Sequence, residues 1–233
     1  MSDKTAVGGD GEPLRLWFDN RQPLTQEIIA TVNRACDRLE DATEPTVAVF
    51  ELVGGTGDER APWPGEVGVH SANRWERAVR RIEQADAPTV AVVQGTCSGA
   101  TMELLLATDY RIATPSSTFG LGGSSDVLWP SMALYRLVQQ LGVARARRLA
   151  LFGGEIGAEE ALAAGLIDRI EEQPGDTLGT LLESLAGLSG SEVRVRRQLL
   201  LEAATTSYDQ AVGVHLSACD RALRHHEKQT IGA

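Results

Sequence analysis

Much is scarce in this chain, and each scarcity narrows its class. Three cysteines occur in 233 residues, Cys36, Cys97 and Cys219. An odd number with no metal-ligand spacing argues against a disulfide framework or a metal centre and fits a reducing cytoplasm. No apolar run approaches the length of a membrane span. Positive charge is in deficit: 22 Lys and Arg stand against 32 Asp and Glu, a formal net charge of -10 with a pI near 4.9. That balance argues against nucleic acid or an anionic membrane as the main partner. Histidine is absent between His70 and His215. The first residues, Met1 to Glu12, are polar and Gly-rich, lack the apolar centre of a signal peptide, and are expected to be disordered. The length suits one domain with ample core, or one domain carrying a helical appendage.

What is present is organised around Gly95-Thr96-Cys97-Ser98-Gly99-Ala100-Thr101-Met102-Glu103. The β-branched run Thr89 to Val93, opened by Pro88, reads as a buried strand, and the small residues after it make a tight exit into a helix that begins near Gly99. Small side chains there let a ligand approach the backbone, and the free N–H groups of a first helical turn favour an oxygen that is gaining negative charge. Ala100 is therefore a candidate for half of an oxyanion hole. Glu103, three residues on and on the same helix face, is the candidate acid/base residue. The alternative is an ordinary Gly-rich turn followed by a solvated glutamate. Cys97 invites a nucleophile reading, but with no activating histidine nearby a small buried residue is the simpler one.

The rest of the chain supplies a frame. Leu14 to Phe18 reads as a strand, and Thr25 can cap a helix to about Leu39 with Ile28, Ile29, Val32, Ala35, Cys36 and Leu39 as its apolar stripe. Thr46 to Val53 is a continuous apolar strand, so the pattern is a βα unit whose sheet is covered by helices. The irregular stretch Gly55 to Asn73 contains Trp63-Pro64-Gly65, either a surface turn or part of a site. A charged amphipathic helix is expected over Arg74 to Ala85, with Trp75, Val79 and Ile82 inward. Its Arg77, Arg80 and Arg81 form a solvated face or a phosphate contact. Tyr110 to Ala113 is a further strand, Ser131 to Leu141, Val143 to Phe152 and Ala158 to Ala164 are helices, and Leu166 to Ile170 is a short strand. Beyond Pro174 the pattern is helical: Thr177 to Leu188, then Glu192 to about Lys228, with Leu199, Leu200, Leu201, Val212 and Leu216 needing cover from the body or another subunit. His225 and His226 fit an exposed helix better than a metal site.

These motifs resemble the crotonase, or enoyl-CoA hydratase/isomerase, superfamily over roughly residues 14 to 170. Gln94-Gly95 through Glu103-Leu104, Thr108-Asp109-Tyr110-Arg111-Ile112-Ala113, Phe119-Gly120-Leu121-Gly122-Gly123, Leu141 to Ala146 with Gly153 to Glu155, and Ala158 to Asp168 match the family's segments in order. The resemblance implies an α/β fold with a crotonase-like ββα spiral core over residues 13–173 and a C-terminal helical trimerisation region over 174–233. It places the second oxyanion N–H on Glu66, after Gly65, and makes Asp109 and Arg111 structural. The family's second catalytic glutamate falls on Gly123, so that carboxylate is missing; Asp126 is a possible auxiliary acid or else a cap. Hydration of an unactivated enoyl thioester should then be handicapped, whereas dehydration or double-bond shift at an acidic α carbon could still run. The implied substrate is an acyl-CoA, with no cofactor beyond the coenzyme A of the substrate, and the implied assembly is a homo-trimer or dimer of trimers.

With Trp63 to His70 and Trp75-Glu76-Arg77, the departure at Gly123 looks most like the DpgB-type enoyl-CoA hydratases of dihydroxyphenylglycine biosynthesis. That likeness implies conversion of a polyketide-derived thioester towards 3,5-dihydroxyphenylacetyl-CoA for antibiotic biosynthesis, and a functional partnership with a polyketide synthase. A non-catalytic partner of such a synthase is the alternative. Clp-type serine proteases share this fold, and Ser98 lies at the turn, but a triad needs a histidine that this stretch lacks.

Overall fold

The computed structural model describes residues 12–55, 63–122, 129–185, 188 and 190–231. Five parallel strands form its centre: β1 (Leu14–Asp19), β2 (Ala48–Val53), β3 (Thr89–Gln94), β5 (Tyr110–Ala113) and β8 (Arg169–Ile170), in the spatial order β1-β2-β3-β5-β8. Phe50 lies opposite Leu16 on one side and Ala91 on the other. Both faces of this sheet are covered, which is why its strands read as continuous apolar runs rather than alternating ones. Ala48, Phe50 and Leu52 of β2, with Ala91 and Val93 of β3, belong to the large core. That core is shared with α1 (Gln26–Glu40), α2 (Val69–Glu83) and α3 (Ala100–Leu106). The intervening Val49, Val90 and Val92 meet α7 (Pro174–Leu185) on the opposite face through Leu178, Leu181, Leu182 and Leu185, a helical i, i+3, i+4, i+7 stripe.

A second, three-stranded sheet holds β4 (Thr96–Cys97), β6 (Thr118–Phe119) and β7 (Ile156–Gly157), with β4 and β6 parallel and β7 antiparallel. β4 continues from β3 across Gly95 at φ +80, where an added Cβ would lie 2.3 Å from the Gly54 carbonyl oxygen. A glycine there permits both the positive φ and the close approach of two backbones. Asn20 latches the same corner, donating from Nδ2 to the Thr96 carbonyl at 2.8 Å and accepting from the Gly55 N–H at 3.3 Å. Successive strand pairs that feed two sheets, each followed by a helix, give the crotonase-like α/β architecture expected from the motifs.

The remaining helices are α4 (Met132–Leu141), α5 (Val143–Phe152), α6 (Ala158–Ala164), α8 (Gly190–Ala203) and α9 (Tyr208–Ile231). Thr25 caps α1 with its side chain on the Ile28 N–H, and the buried stripe of α1 is the expected one. Three expectations need correction. α2 begins at Val69, five residues before Arg74, because no residue from Val69 to Arg74 is buried, which leaves no inward apolar period to read. The expected strand over Leu166 to Ile170 shrinks to Arg169–Ile170. The long C-terminal helix breaks over residues 204–207: Thr205 Oγ1 turns back to the Glu202 carbonyl, and Ser207 caps α9 while Gln210 Oε1 accepts from the Ser207 N–H. Gln210 thus reaches back to the residue before the helix, as in one half of a capping box, while the Ser207 hydroxyl donates to the same oxygen.

The body of the chain does not cover the whole of the expected tail stripe. Leu200, Leu201 and Leu216 are exposed on the chain, and the buried member of α8 is Arg197. Its guanidinium spans both carboxylate oxygens of Asp109 at 2.6 Å and donates to the carbonyls of Glu83, Ala85 and Ala87, which fastens α8 over the end of α2. Asp109 also accepts from the N–H and hydroxyl of Thr89, and Arg111 donates to the carbonyls of Leu106, Thr108 and Leu166, so both residues are structural.

Candidate active site

The turn into α3 is locked from within. Thr101 Oγ1 accepts from the Ser98 N–H at 3.0 Å and donates to the Ser98 carbonyl at 2.9 Å. Gly99 has φ 59 and ψ -126, a backbone that L side chains rarely adopt. Two further loops press on it. An added Cβ at Gly99 would lie 2.9 Å from Trp63 Cγ, and one at Gly122 would lie 2.8 Å from the Gly99 nitrogen. The loop carrying Trp63 is itself fixed by the Leu24 N–H, which donates to the Pro64 carbonyl at 3.0 Å. Three chain segments thus converge on the first turn of α3. Among the described residues, neither the Ala100 nor the Glu66 N–H donates to a backbone carbonyl outside a helix. Glu66 is exposed, one residue after Gly65 at φ 81. Gly123 and Asp126 lie outside the described residues.

Every residue of α3 is buried, Glu103 included, at 2 % exposure. Its carboxylate takes the indole N–H of Trp75 on Oε2 at 2.8 Å and that of Trp63 on Oε1 at 3.2 Å. The two indoles meet edge to face, with centroids 6.0 Å apart and planes at 71°. A third hydrogen bond comes from Ser131, whose hydroxyl also accepts from the Ala133 N–H as the cap of α4. Burial pushes the Glu103 carboxyl above the usual carboxylate range, against the hydrogen bonds of Ser131, Trp75 and Trp63 and the field of Arg136, all of which favour the ionised form. A carboxyl group whose proton affinity is raised by burial can both accept and return a proton.

Arg136 belongs to a second layer. It grips Glu76 with both terminal nitrogens, at 2.6 and 3.0 Å, and Glu83 through Nε at 2.6 Å. α4 is thereby clamped to α2 on either side of Ala78 and Val79, and the helix that carries Trp75 is held in place. Arg81 performs a similar task on the exposed side, bonding Asp37 and Glu40 of α1, while Arg77 and Arg80 are exposed.

Cys97 is buried and its thiol is pushed up to about 12 by desolvation, so it is inert at neutral pH. Ser98 is buried too, and the described residues contain no histidine beside it. They likewise contain no cluster of His, Cys, Asp and Glu that could hold a metal ion, and no helix long and apolar enough to cross a membrane. A cavity of about 320 Å³ lies between α5 and α6, lined by Leu141, Arg145, Arg148, Leu149 and Glu160 among others; it does not include Glu103.

A family profile described as enoyl-CoA hydratase/isomerase matches residues 68–226. The chain belongs to the enoyl-CoA hydratase/isomerase family. It is an enzyme of that family by the same match and by a curated relative, the "Enoyl-CoA-hydratase" of Amycolatopsis orientalis, which is 40% identical over 211 residues, 91% of this chain and 96% of the relative. Solved structures share the fold at lower identity. An enoyl-CoA hydratase/isomerase from Cupriavidus metallidurans CH34 superposes with a TM-score of 0.78 at 19% identity, over 96% of this chain and 89% of that one. An enoyl-CoA hydratase from Bacillus anthracis does so with a TM-score of 0.75 at 18% identity, over 91% and 88%.

The matched span contains Ala100 and Glu103 and begins two residues after Glu66. Within this family member the sequence reading nominated Glu103 and missed its donors. Trp75 faces the core as expected; Trp63, read as either in a surface turn or in a site, is buried with its indole on Glu103. The usable signal was that a buried indole N–H requires an acceptor.

Proposed function

We propose that this chain is a hydratase/dehydratase-type lyase of CoA thioesters, with Glu103 as the acid/base residue and the backbone N–H groups of Ala100 and Glu66 as the oxyanion hole. The observation that carries the reading is the buried Glu103 carboxyl, held by neutral donors beside a helix start whose first N–H has no hydrogen-bond acceptor among the described residues. In the dehydration direction, Glu103 removes the α proton of a 3-hydroxyacyl thioester. The electron pair moves onto the thioester oxygen, where two N–H donors stabilise the enolate. As the enolate collapses, the β C–O bond breaks, and the proton on Glu103 passes to the departing hydroxyl as water. No metal or separate cofactor is required, because the coenzyme A arrives as part of the substrate.

The finer reading is a DpgB-type enzyme of the cytoplasm that acts on a polyketide-derived thioester towards 3,5-dihydroxyphenylacetyl-CoA, alongside a polyketide synthase. Its support is the motif resemblance. The exposed apolar side chains of α8 and α9 support a trimer or dimer of trimers through that region. Asp126 remains the candidate auxiliary acid. Incubating parent and Glu103→Gln proteins with the synthase's acyl-CoA product and with a simple 3-hydroxyacyl-CoA, with detection by mass, tests the reading. A loss of about 10²-fold or more in turnover is expected of the variant. Turnover within a few-fold of the parent would instead favour a non-catalytic partner of the synthase.

A further inference from the structure

The two oxygens of Glu103 are held unequally. Oε2 takes the shorter bond, 2.8 Å, from Trp75 in the middle of a 15-residue helix. That helix is clamped to α4 by the Glu76–Arg136–Glu83 cluster, which grips it at the residue after Trp75 and again two turns on. Oε1 takes the longer bond, 3.2 Å, from Trp63 on an irregular segment. Freeing Oε2 would require a clamped 15-residue helix to move, whereas freeing Oε1 requires the displacement of one buried indole on an irregular segment. Lone pairs committed to a donor cannot accept a substrate proton at the same moment.

We propose that Trp75 is a positioning residue that anchors Oε2 of Glu103, leaving Oε1, covered by Trp63 until substrate enters, as the oxygen that exchanges protons with the thioester. The inference rests on the reading of Glu103 as the acid/base residue. Trp75 also tunes the carboxyl: an indole N–H bonded to the charged form favours ionisation and opposes the effect of burial. The charged groups acting on this carboxyl from the neighbouring helices are Arg136 of α4 and, paired with it, Glu76 and Glu83 of α2.

The two indoles are also the probes. Their emission should report the protonation of the carboxyl that they touch, so fluorescence is titrated against pH in the parent, Glu103→Gln, Trp75→Phe and Trp63→Phe, with circular dichroism as the check on folding. In a further form, 3-benzothienylalanine is placed at position 75; it keeps the ring shape and exchanges the N–H for sulfur, which covers the case in which Trp75→Phe fails to fold. The parent transition is expected to vanish in Glu103→Gln and to move to higher pH by about one unit in the forms altered at position 75. Their kcat at neutral pH should fall about tenfold, with the acidic limb of the profile following the new midpoint. Trp63→Phe should move the midpoint and lower kcat by less.

A transition that persists in Glu103→Gln, an unmoved midpoint in a folded form altered at position 75, or a larger effect from Trp63→Phe would overturn the assignment. If Glu103→Gln keeps the parent's turnover, the acid/base reading fails, while the midpoint shift remains separately measurable.

Discussion

Glu103 and Arg197 are both buried charges, and they are satisfied in opposite ways. Arg197 meets a full countercharge in Asp109 and fills its remaining donors with three carbonyls. Among the described residues Glu103 meets no cation directly; indole and hydroxyl donors hold it, and Arg136 acts on it through its field. Arg136 spends its own donors on Glu76 and Glu83. Paired charges of the first kind fix helices in place and resist change in protonation. A carboxylate given only neutral donors keeps a proton affinity that can be used, since no ion pair holds it permanently ionised. The same chain thus separates charges that hold the fold from the charge that serves the chemistry.

The largest effect should come from breaking the structural pair. Arg197→Ala takes the donor from the carbonyls of Glu83, Ala85 and Ala87 and the countercharge from the partly exposed Asp109, and is expected to lower stability by about 3 kcal/mol, read from urea unfolding; a cost below 1 kcal/mol would show that α8 is held elsewhere. Glu103→Gln should reverse the pattern. Its stability loss should be smaller than that of Arg197→Ala, while kcat falls about 10²-fold, equivalent to about 2.7 kcal/mol of barrier. Equal losses of stability in the two variants would erase the distinction between the two charges.

Gly99→Ala should sharpen it further. The positive φ and the 2.9 Å approach to Trp63 predict a cost of about 1–3 kcal/mol in stability. They also predict a displaced Trp63, visible as altered tryptophan emission; an unchanged spectrum would refute the packing. The smallest effect is in pH dependence. Because burial raises the Glu103 carboxyl in the folded state, the stability of the parent relative to Glu103→Gln should be greatest below the ordinary carboxylate pKa of about 4.3 and should decline as pH rises through the folded value. Paired thermal melts across that range check the sign, and a difference that grows with pH would contradict it.

Local pattern alone determined a great deal. The apolar runs at Thr89 to Val93 and Thr46 to Val53, the stripe from Ile28 to Leu39, the cap at Thr25 and the small-residue exit before Ala100 are properties of neighbouring residues, and each became the expected element. Glu103 was legible as a candidate for the same reason, since its distance from the helix start is set by helical geometry. A first turn without a buried residue concealed the start of α2, and the reach of Gln210 back to Ser207 was overlooked although it is local. Tertiary structure alone decided what Glu103 touches. Trp63 and Trp75 lie 40 and 28 residues away in sequence, and Arg197 lies 88 from Asp109. Periodicity states which face of a helix is buried; the partner across that face depends on how separate elements are placed, which no local spacing encodes.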